Sequence, residues 1–424
     1  MHTLDELREG RLAGIKRLDL AAGLTTFPPE IYGLADSLEI LNISDNNLSE
    51  LPEDFIRFQK LRIIFASGNR FTTVPAVLGR MPALEQIGFK ANRLTEVPPE
   101  SLPPSLRWLI LTDNALTELP ASIGTCLHLR KCALAGNRLR TLPENMHNCQ
   151  ELELLRISAN ALTAIPDWIT HLPRMAWLAY AANPGVPILP AATLPSIPWS
   201  EMHLAEIIGD GASGVVHRAI RTDGTAVAVK MFKGALTSDG LPESELAAAV
   251  AAGSHPHLIG TEAVITAHPL AQTGLVMPLL AAGWQRLAGP PSLTSCTRDV
   301  YAAELSLSLP QALAIFRGIS AAVAHLHLRG LLHGDVYAHN ILWDGHRHAC
   351  LGDFGAASAL PEGPLRERLI RCEVRALGCL LEELLTRVHY DLIPPHLWHL
   401  QQTCIASTVA ARPTASEAYA AAVM

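Results

Sequence analysis

The stretch LEILNISDNNLSELP, residues 38–52, decides the fold of the first half of the chain. Its apolar positions alternate, then close on an Asn, two further leucines and a Pro. The frame returns as LRIIFASGNRFTTVP (61–75), LEQIGFKANRLTEVP (84–98) and LRWLILTDNALTELP (106–120). It returns again as LRKCALAGNRLRTLP (129–143) and LELLRISANALTAIP (152–166). The asparagines fall at 46, 69, 92, 114, 137, 160 and 183, in steps of 23, 23, 22, 23, 23 and 23. A fixed period of this length marks a stacked array. Each short strand turns alternate leucines inward. Each Asn side chain can bond backbone groups that a curved turn leaves unpaired. The Leu-Pro pair sets an extended bend on the outer face. Stacking then buries one continuous core.

These residues resemble leucine-rich repeats over roughly residues 15–190. The first repeat, IKRLDLAAGLTTFP, has Gly23 for Asn and is one residue short, as suits a cap; the last, MAWLAYAANPGVP, loses the pattern after Asn183. The strand positions between the consensus leucines face the concave side. They read Ile40, Ile63, Gln86, Trp108, Lys131, Leu154 and Trp177, and two residues on Asn42, Phe65, Gly88, Ile110, Ala133, Arg156 and Ala179. Such an apolar stripe suits protein binding, with Phe65, Trp108 and Trp177 as anchors. Packing on the chain's own second half, or a plain surface, are the other readings.

Composition bounds the rest. The 424 residues suffice for two or three domains, and 49% are hydrophobic, enough for a core in each half. Residues 1–198 carry 18 Lys+Arg against 20 Asp+Glu, and residues 199–424 carry 15 against 20, so neither half is a nucleic-acid binder by charge. Eight cysteines with no CxxC pair suggest a reducing, cytoplasmic setting. The N-terminus MHTLDELREGRLAG has no apolar core and does not read as a signal peptide. No run of 18 apolar residues occurs, so no membrane span is expected.

Residues 184–198, PGVPILPAATLPSIP, hold five prolines and read as a stiff connector. Beyond it, EIIGDGASGVVHRAI (206–220) spaces Gly209, Gly211 and Gly214 as GxGxxGxV, closing on Val216. Dinucleotide folds share such glycines but lead them into a helix. Here VVHRAI alternates and is β-branched, so a hairpin over phosphates is implied, with Gly for close approach. TAVAVKMFK (225–233) follows. Residues 199–424 hold only two lysines, Lys230 and Lys233, against 13 arginines, and Lys230 stands where V-A-x-K demands one. A compact ammonium between phosphates explains its retention. Its acidic partner is expected on the helix LPESELAAAVAAGS, as Glu245, with Glu243 the alternative. GLVMPLL (274–280) reads as an edge strand and hinge. GPPSLTSCTRDVY (289–301) is too rich in Pro and Ser for a core element. PQALAIFRGISAAVAHLHLRG (310–330) has helical spacing. LLHGDVYAHNIL (331–342) then sets Asn340 five residues after Asp335, and GDFG (352–355) places Asp353 thirteen after Asn340. EVRALGCLLEELL (373–385) reads as a central helix and ARPTASEA (411–418) as a closing Arg-Pro-Thr.

Six motifs in this order resemble a protein kinase of the Ser/Thr-like superfamily over residues 200–424. The whole chain resembles a leucine-rich-repeat protein kinase of bacterial type. The fold class implied is α+β in two domains: a solenoid over 1–190, a Pro-rich linker over 184–199 and a bilobal domain over 200–424. The resemblance implies ATP-dependent transfer to protein hydroxyls, with the repeats choosing the protein. Asp335, Lys230 and Glu245 would be catalytic. Gly209, Asp210, Gly211, Ala212, Ser213, Gly214, Val216, Ala228, Met277 and Leu280 would hold the nucleotide. Asn340 and Asp353 would hold Mg²⁺ through oxygen.

The chain departs from the family at four places. Gly334 replaces the Arg that pairs with a phosphorylated activation loop, implying activity without that phosphate. Tyr337 replaces a Lys that would neutralise the transferring phosphate, a loss His339 could offset in part. Only 17 residues (356–372) separate Gly355 from Glu373, and the acidic partner of Arg412 is not visible. Glu373 stands for an Asp. A nucleotide-binding pseudokinase scaffold and a small-molecule phosphotransferase are therefore the alternatives to an active Ser/Thr kinase.

Overall fold

The computed structural model describes residues 1–189, 194–211, 213–234, 236–237 and 239–423. They divide into two compact units. One is Met1–Leu172 with Asn183–Gly185, and the other is Pro173–Ala182 with Val186–Met424. The repeat pattern runs to residue 190, yet residues 173–182 belong to the second unit.

The first unit opens with α1 (Leu4–Arg8), closed by a capping box between Thr3 and Glu6. Seven three-residue strands follow: β1 (Arg17–Asp19), β2 (Ile40–Asn42), β3 (Ile63–Phe65), β4 (Gln86–Gly88), β5 (Trp108–Ile110), β6 (Lys131–Ala133) and β7 (Leu154–Arg156). They pair in chain order, all parallel and in register, so that Leu41, Ile64, Ile87, Leu109, Cys132 and Leu155 stack as one row. Every member of that row is at most 1% exposed. Each outer face returns as a 3₁₀ turn behind an apolar-Pro step, as at Glu53–Arg57 and Ala121–Thr125.

The asparagines form a ladder between repeats. Asn137 Nδ2 donates to Leu111 O and Leu134 O, both at 2.9 Å, and its Oδ1 accepts from Leu116 N at 3.1 Å. Asn69 makes the same set with Ile43 O, Ala66 O and Leu48 N. The residue before each ladder Asn is left-handed: Asp45, Gly68, Ala91, Asp113, Gly136, Ala159 and Ala182 have φ between 53° and 68°. An alanine there costs about 1 kcal/mol or more, so the Asn bonds hold strained backbone in place. On the concave side the Phe65 ring lies where a Gly88 side chain would stand. It meets Trp108 edge-on at 6.5 Å, and Lys131 Nζ sits 4.3 Å over the indole.

The second unit begins with β8 (Trp177–Ala179) and β9 (Ser196–Pro198). β9 corrects the connector reading, because residues 196–198 join a sheet as its edge strand, parallel to β13. That sheet also contains β10 (Met202–Asp210), β11 (Gly214–Arg221), β12 (Ala226–Phe232), β13 (Ala263–Thr266) and β14 (Gly274–Pro278), in the order β10-β11-β12-β14-β13-β9. Between β12 and β13 lies α2 (Pro242–Ala252), whose buried face is mostly alanine and permits close approach. The lower lobe follows: β15 (Gln285–Arg286), α3 (Leu309–Leu328), β16 (Leu331–Leu332), β17 (Ile341–Trp343), β18 (Ala349–Leu351) and β19 (Ser358–Ala359). It ends with α4 (Pro364–Leu385), α5 (Pro395–Cys404) and α6 (Ala415–Ala421).

α3 is long and apolar enough to cross a membrane by length and composition, the one such helix among the described residues. Here it packs against α4, α6 and β18. α4 starts nine residues before Glu373, so the open segment after Gly355 is 356–363 alone. The 289–301 insert also departs from its sequence reading. Cys296 and Thr297 are fully buried, and Arg298 bonds Glu383 at 2.7 Å and Glu382 at 2.9 Å. Ionic anchors, not apolar content, fix it.

Asn137→Ala should remove all three ladder bonds and strand a buried N–H. We expect a loss of about 2–4 kcal/mol, read as a lower urea midpoint for the β-rich transition of the full chain. Ser122→Ala, at an exposed hydrogen bond on the outer face, should leave that midpoint nearly unchanged.

Candidate active site

β10 and β11 form the hairpin over the site. Val216 pairs with Gly209 and again with Lys230 on β12, which brings the glycine loop over the lysine. The loop closes through Gly211 N to Gly214 O at 3.0 Å. A side chain at Gly214 would strike Met231 O, while one at Gly211 would meet only Gly214 O, at an ordinary 3.8 Å. Asp210 forms an ion pair with Lys233 at the rim. Ala212 lies outside the described residues.

Beneath the hairpin is a cleft of about 440 Å³. Gly209, Asp210, Gly211, Ser213, Gly214 and Val216 line its roof. Ala228, Met277 and Leu280 line the apolar wall, and Lys230, Glu245, Asn340 and Asp353 line its polar end. The sequence reading missed Ile259, Trp284 and Leu342, which close the apolar end. Pro278 also lines the hinge; it lacks an N–H but keeps a carbonyl for an amino-purine edge.

At the polar end Lys230 and Glu245 form a close ion pair, both nearly buried. Lys230 Nζ also lies 3.5 Å from Asp353 Oδ1. Glu243, two residues before Glu245, is exposed. Burial lowers the Lys230 ammonium, but Asp353 and Glu245 outweigh it and hold it above its ordinary value. Burial, with Asp353 adding to it, raises the Glu245 carboxyl despite Lys230. Asp353 is the opposite case. Desolvation pushes it up, yet Lys230 and the Gly355 N–H hold it below the usual carboxylate range. Its backbone is left-handed, φ 60°, which aims an ionised carboxylate into the cleft at a cost of about 1–2 kcal/mol.

The catalytic loop lies between β16 and β17. Asn340 Nδ2 donates to Asp335 Oδ2 at 2.6 Å and to Asp335 O at 3.0 Å, leaving its own carbonyl oxygen for a cation. Gly352 N donates to Asn340 O at 2.9 Å and ties this loop to Asp353. One ionised carboxylate and one amide oxygen, open to the cleft, fit Mg²⁺ that takes its other ligands from phosphate and water. Fully buried His333 packs beside Phe354 and meets Gly352 O at 3.1 Å. Glu373 on α4 accepts from Gly334 N at 2.5 Å and meets His327 Nε2 at 2.7 Å.

Three expectations change. Tyr337 does not line the cleft as described. Its ring stacks on Trp177 at 4.3 Å and 7° and is 5% exposed. For the same reason Trp177 is not an exposed anchor, since its indole is buried in the second unit and donates to Val336 O at 3.1 Å. Arg412 is buried, and it donates to backbone carbonyls rather than to the expected carboxylate. It donates to Pro173 O at 2.6 Å, Ala406 O at 2.9 Å, Arg371 O at 3.3 Å and Met175 O at 3.4 Å, and burial pushes it down to about 10. His339 does line the cleft, and Asp299 of the insert meets its Nδ1 at 2.7 Å and its backbone N–H at 2.9 Å. Nothing in the sequence linked positions 40 residues apart.

Comparison with known proteins agrees with this geometry. Residues 202–371 match the protein kinase domain family, and residues 37–58 match the leucine-rich repeat family. A serine/threonine-protein kinase of bovine herpesvirus 1.2 is 38% identical over 85 residues, 20% of this chain and 17% of that protein. Ephrin type-A receptor 8 of Mus musculus is 30% identical over 173 residues, 39% of this chain and 16% of the receptor. A probable leucine-rich repeat receptor-like serine/threonine-protein kinase of Arabidopsis thaliana is 27% identical over 164 residues, 36% of this chain and 14% of that protein. The chain thus spans about a sixth of the length of the curated relatives it matches. A leucine-rich repeat protein of Leptospira interrogans matches 43% of this chain and 53% of its own at 24% identity, with a TM-score of 0.37.

Removing one partner of the buried pair should cost more than removing both. Lys230→Ala should destabilise the second unit by about 3–5 kcal/mol. Lys230→Met with Glu245→Leu should recover most of that stability in urea unfolding, while nucleotide binding by titration stays lost. One chain thus carries a match to the protein kinase domain family over residues 202–371 and a match to the leucine-rich repeat family over residues 37–58.

Proposed function

We propose that the chain is an active protein kinase that moves the γ-phosphoryl group of ATP to Ser or Thr hydroxyls of a protein. The observation that carries this is the polar end of the cleft, where Lys230 pairs with Glu245 and Asp353, and where Asn340, which holds Asp335 behind it, is tied to the Asp353 segment through Gly352 N–H. Lys230 is placed to reach nucleotide phosphates and Glu245 to hold it there. Asn340 and Asp353 would hold Mg²⁺, which neutralises phosphate charge when bound. Asp335, fixed by Asn340, orients the attacking hydroxyl and accepts its proton. The pseudokinase reading keeps one observation in its favour: the side chain at 337 is an aromatic ring turned into the packing, so no cation stands there.

The repeats suit protein recognition. Trp177 is buried in the second unit and Trp108, 9% exposed, is largely buried too, so the accessible part of the anchor patch reduces to half-buried Phe65, edge-on to Trp108, and half-buried Lys131 over the indole. Eight free, buried thiols suit a cytoplasmic signalling enzyme.

Incubation of the full chain with labelled ATP and Mg²⁺ tests the reading. Label should enter protein with the wild type, fall by on the order of 100-fold or more with Asp335→Asn, and vanish with chelator. Nucleotide binding with no transfer to any protein acceptor would favour the pseudokinase. Phe65→Ala with Trp108→Ala should leave transfer to a generic protein intact and slow transfer to the natural partner.

A further inference from the structure

Residues 173–182 read in sequence as the strand of the last repeat. In the fold they lie against three parts of the catalytic lobe. Trp177 stacks on Tyr337 and bonds Val336 O, the two residues that follow Asp335. Leu178 O stands 2.6 Å from where a Gly334 side chain would begin, and Gly334 itself has φ 74°. Ala356 O stands equally close, so the strand and the backbone after GDFG together leave no room for a side chain at 334. Tyr180 N donates to Ser358 Oγ and Tyr180 Oη donates to Ala359 O, both at 3.0 Å, on the strand that follows GDFG. Pro173 O and Met175 O accept from Arg412.

We propose that residues 173–182 position the catalytic loop, with Trp177 the positioning residue, and so replace a phosphorylated activation segment. The idea rests on the kinase reading above. The segment that would carry the phosphate is eight residues long here, and the Arg that would receive it is Gly334. The backbone on either side of Asp335 is instead clamped from both sides. Glu373 holds Gly334 N–H from α4, and the Trp177 indole holds Val336 O and the Tyr337 ring. The clamp is complete once the chain folds, so it needs no modification.

Steady-state transfer by the full chain tests this. A shift on the order of 1 Å at a catalytic group costs on the order of 100-fold. Trp177→Ala should therefore lower kcat by about tenfold or more, with KM for ATP within about twofold, because the nucleotide wall is untouched. Trp177→Phe, which keeps the stack, should recover most of the rate. Tyr180→Phe, which removes one bond to Ala359, should lower kcat several-fold and serves if Trp177→Ala does not fold. Phosphatase treatment of the wild type should change nothing. Amide exchange at residues 334–337 should quicken in Trp177→Ala whether or not the protein is active. That readout judges the segment separately if the wild type transfers no phosphate, in which case it is the kinase reading that fails. An unchanged or raised kcat with unchanged exchange, or loss of rate on phosphatase treatment, overturns the inference.

Discussion

The ammonium of Lys230 is the constraint on which the rest of the site depends. Taking the Lys230 cation and the Glu245 carboxylate out of water costs several kcal/mol per ion before pairing repays it. The sheet and α2 meet that cost by bringing Glu245 against Lys230 and leaving Asp353 within 3.5 Å. One positive charge faces two negative ones, so the balance is incomplete. Glu245 takes the strain by being raised, and Asp353, held by Gly355 as well, stays ionised at the cleft. A cleft with an unbalanced carboxylate and a glycine-lined roof is suited to a divalent cation that arrives with phosphate. The alanines of α2 belong to the same logic, because larger residues on that buried face would push Glu245 away.

A second buried carboxylate organises the lower lobe. Glu373 is 1% exposed, and burial alone would raise it, yet His327 and the Gly334 N–H hold it below the usual range. It ties the end of α3, the catalytic loop and α4 at one point. A Glu reaches one methylene further than the Asp common in the family, and the loop meets it at a residue with no side chain. Loop and helix are thus matched through a substitution on each.

Much of this was legible in the sequence, and what was not follows a physical pattern. The 23-residue period announced the Asn ladder because each Asn bonds backbone that any sequence supplies. The left-handed residue before each Asn was hidden, since Asp, Gly and Ala share no obvious signature there. The cleft was legible because Lys230, Asp335, Asn340 and Asp353 sit in short motifs. Asp299 was not, because its partner His339 is 40 residues away and the surrounding insert looks like a loop. The acceptors of Arg412 could not be found at all. They are backbone carbonyls, which every residue has.

The family's missing residues are better understood together than singly. Read singly, Gly334 concerned regulation, Tyr337 concerned chemistry and the shortened segment concerned substrate docking. In the fold all three face residues 173–182. A side chain at 334 would collide with Leu178 O, a lysine at 337 would leave the Trp177 ring without its stack, and Arg412 finds in Pro173 and Met175 the acceptors that a carboxylate would have offered. The bonds are reciprocal, since those carbonyls would otherwise be buried near a cation's donors with nothing to accept. A departure from a pattern has to be judged against what fills the space it leaves, and here residues 173–182, with Ala356 O beside Gly334, fill it.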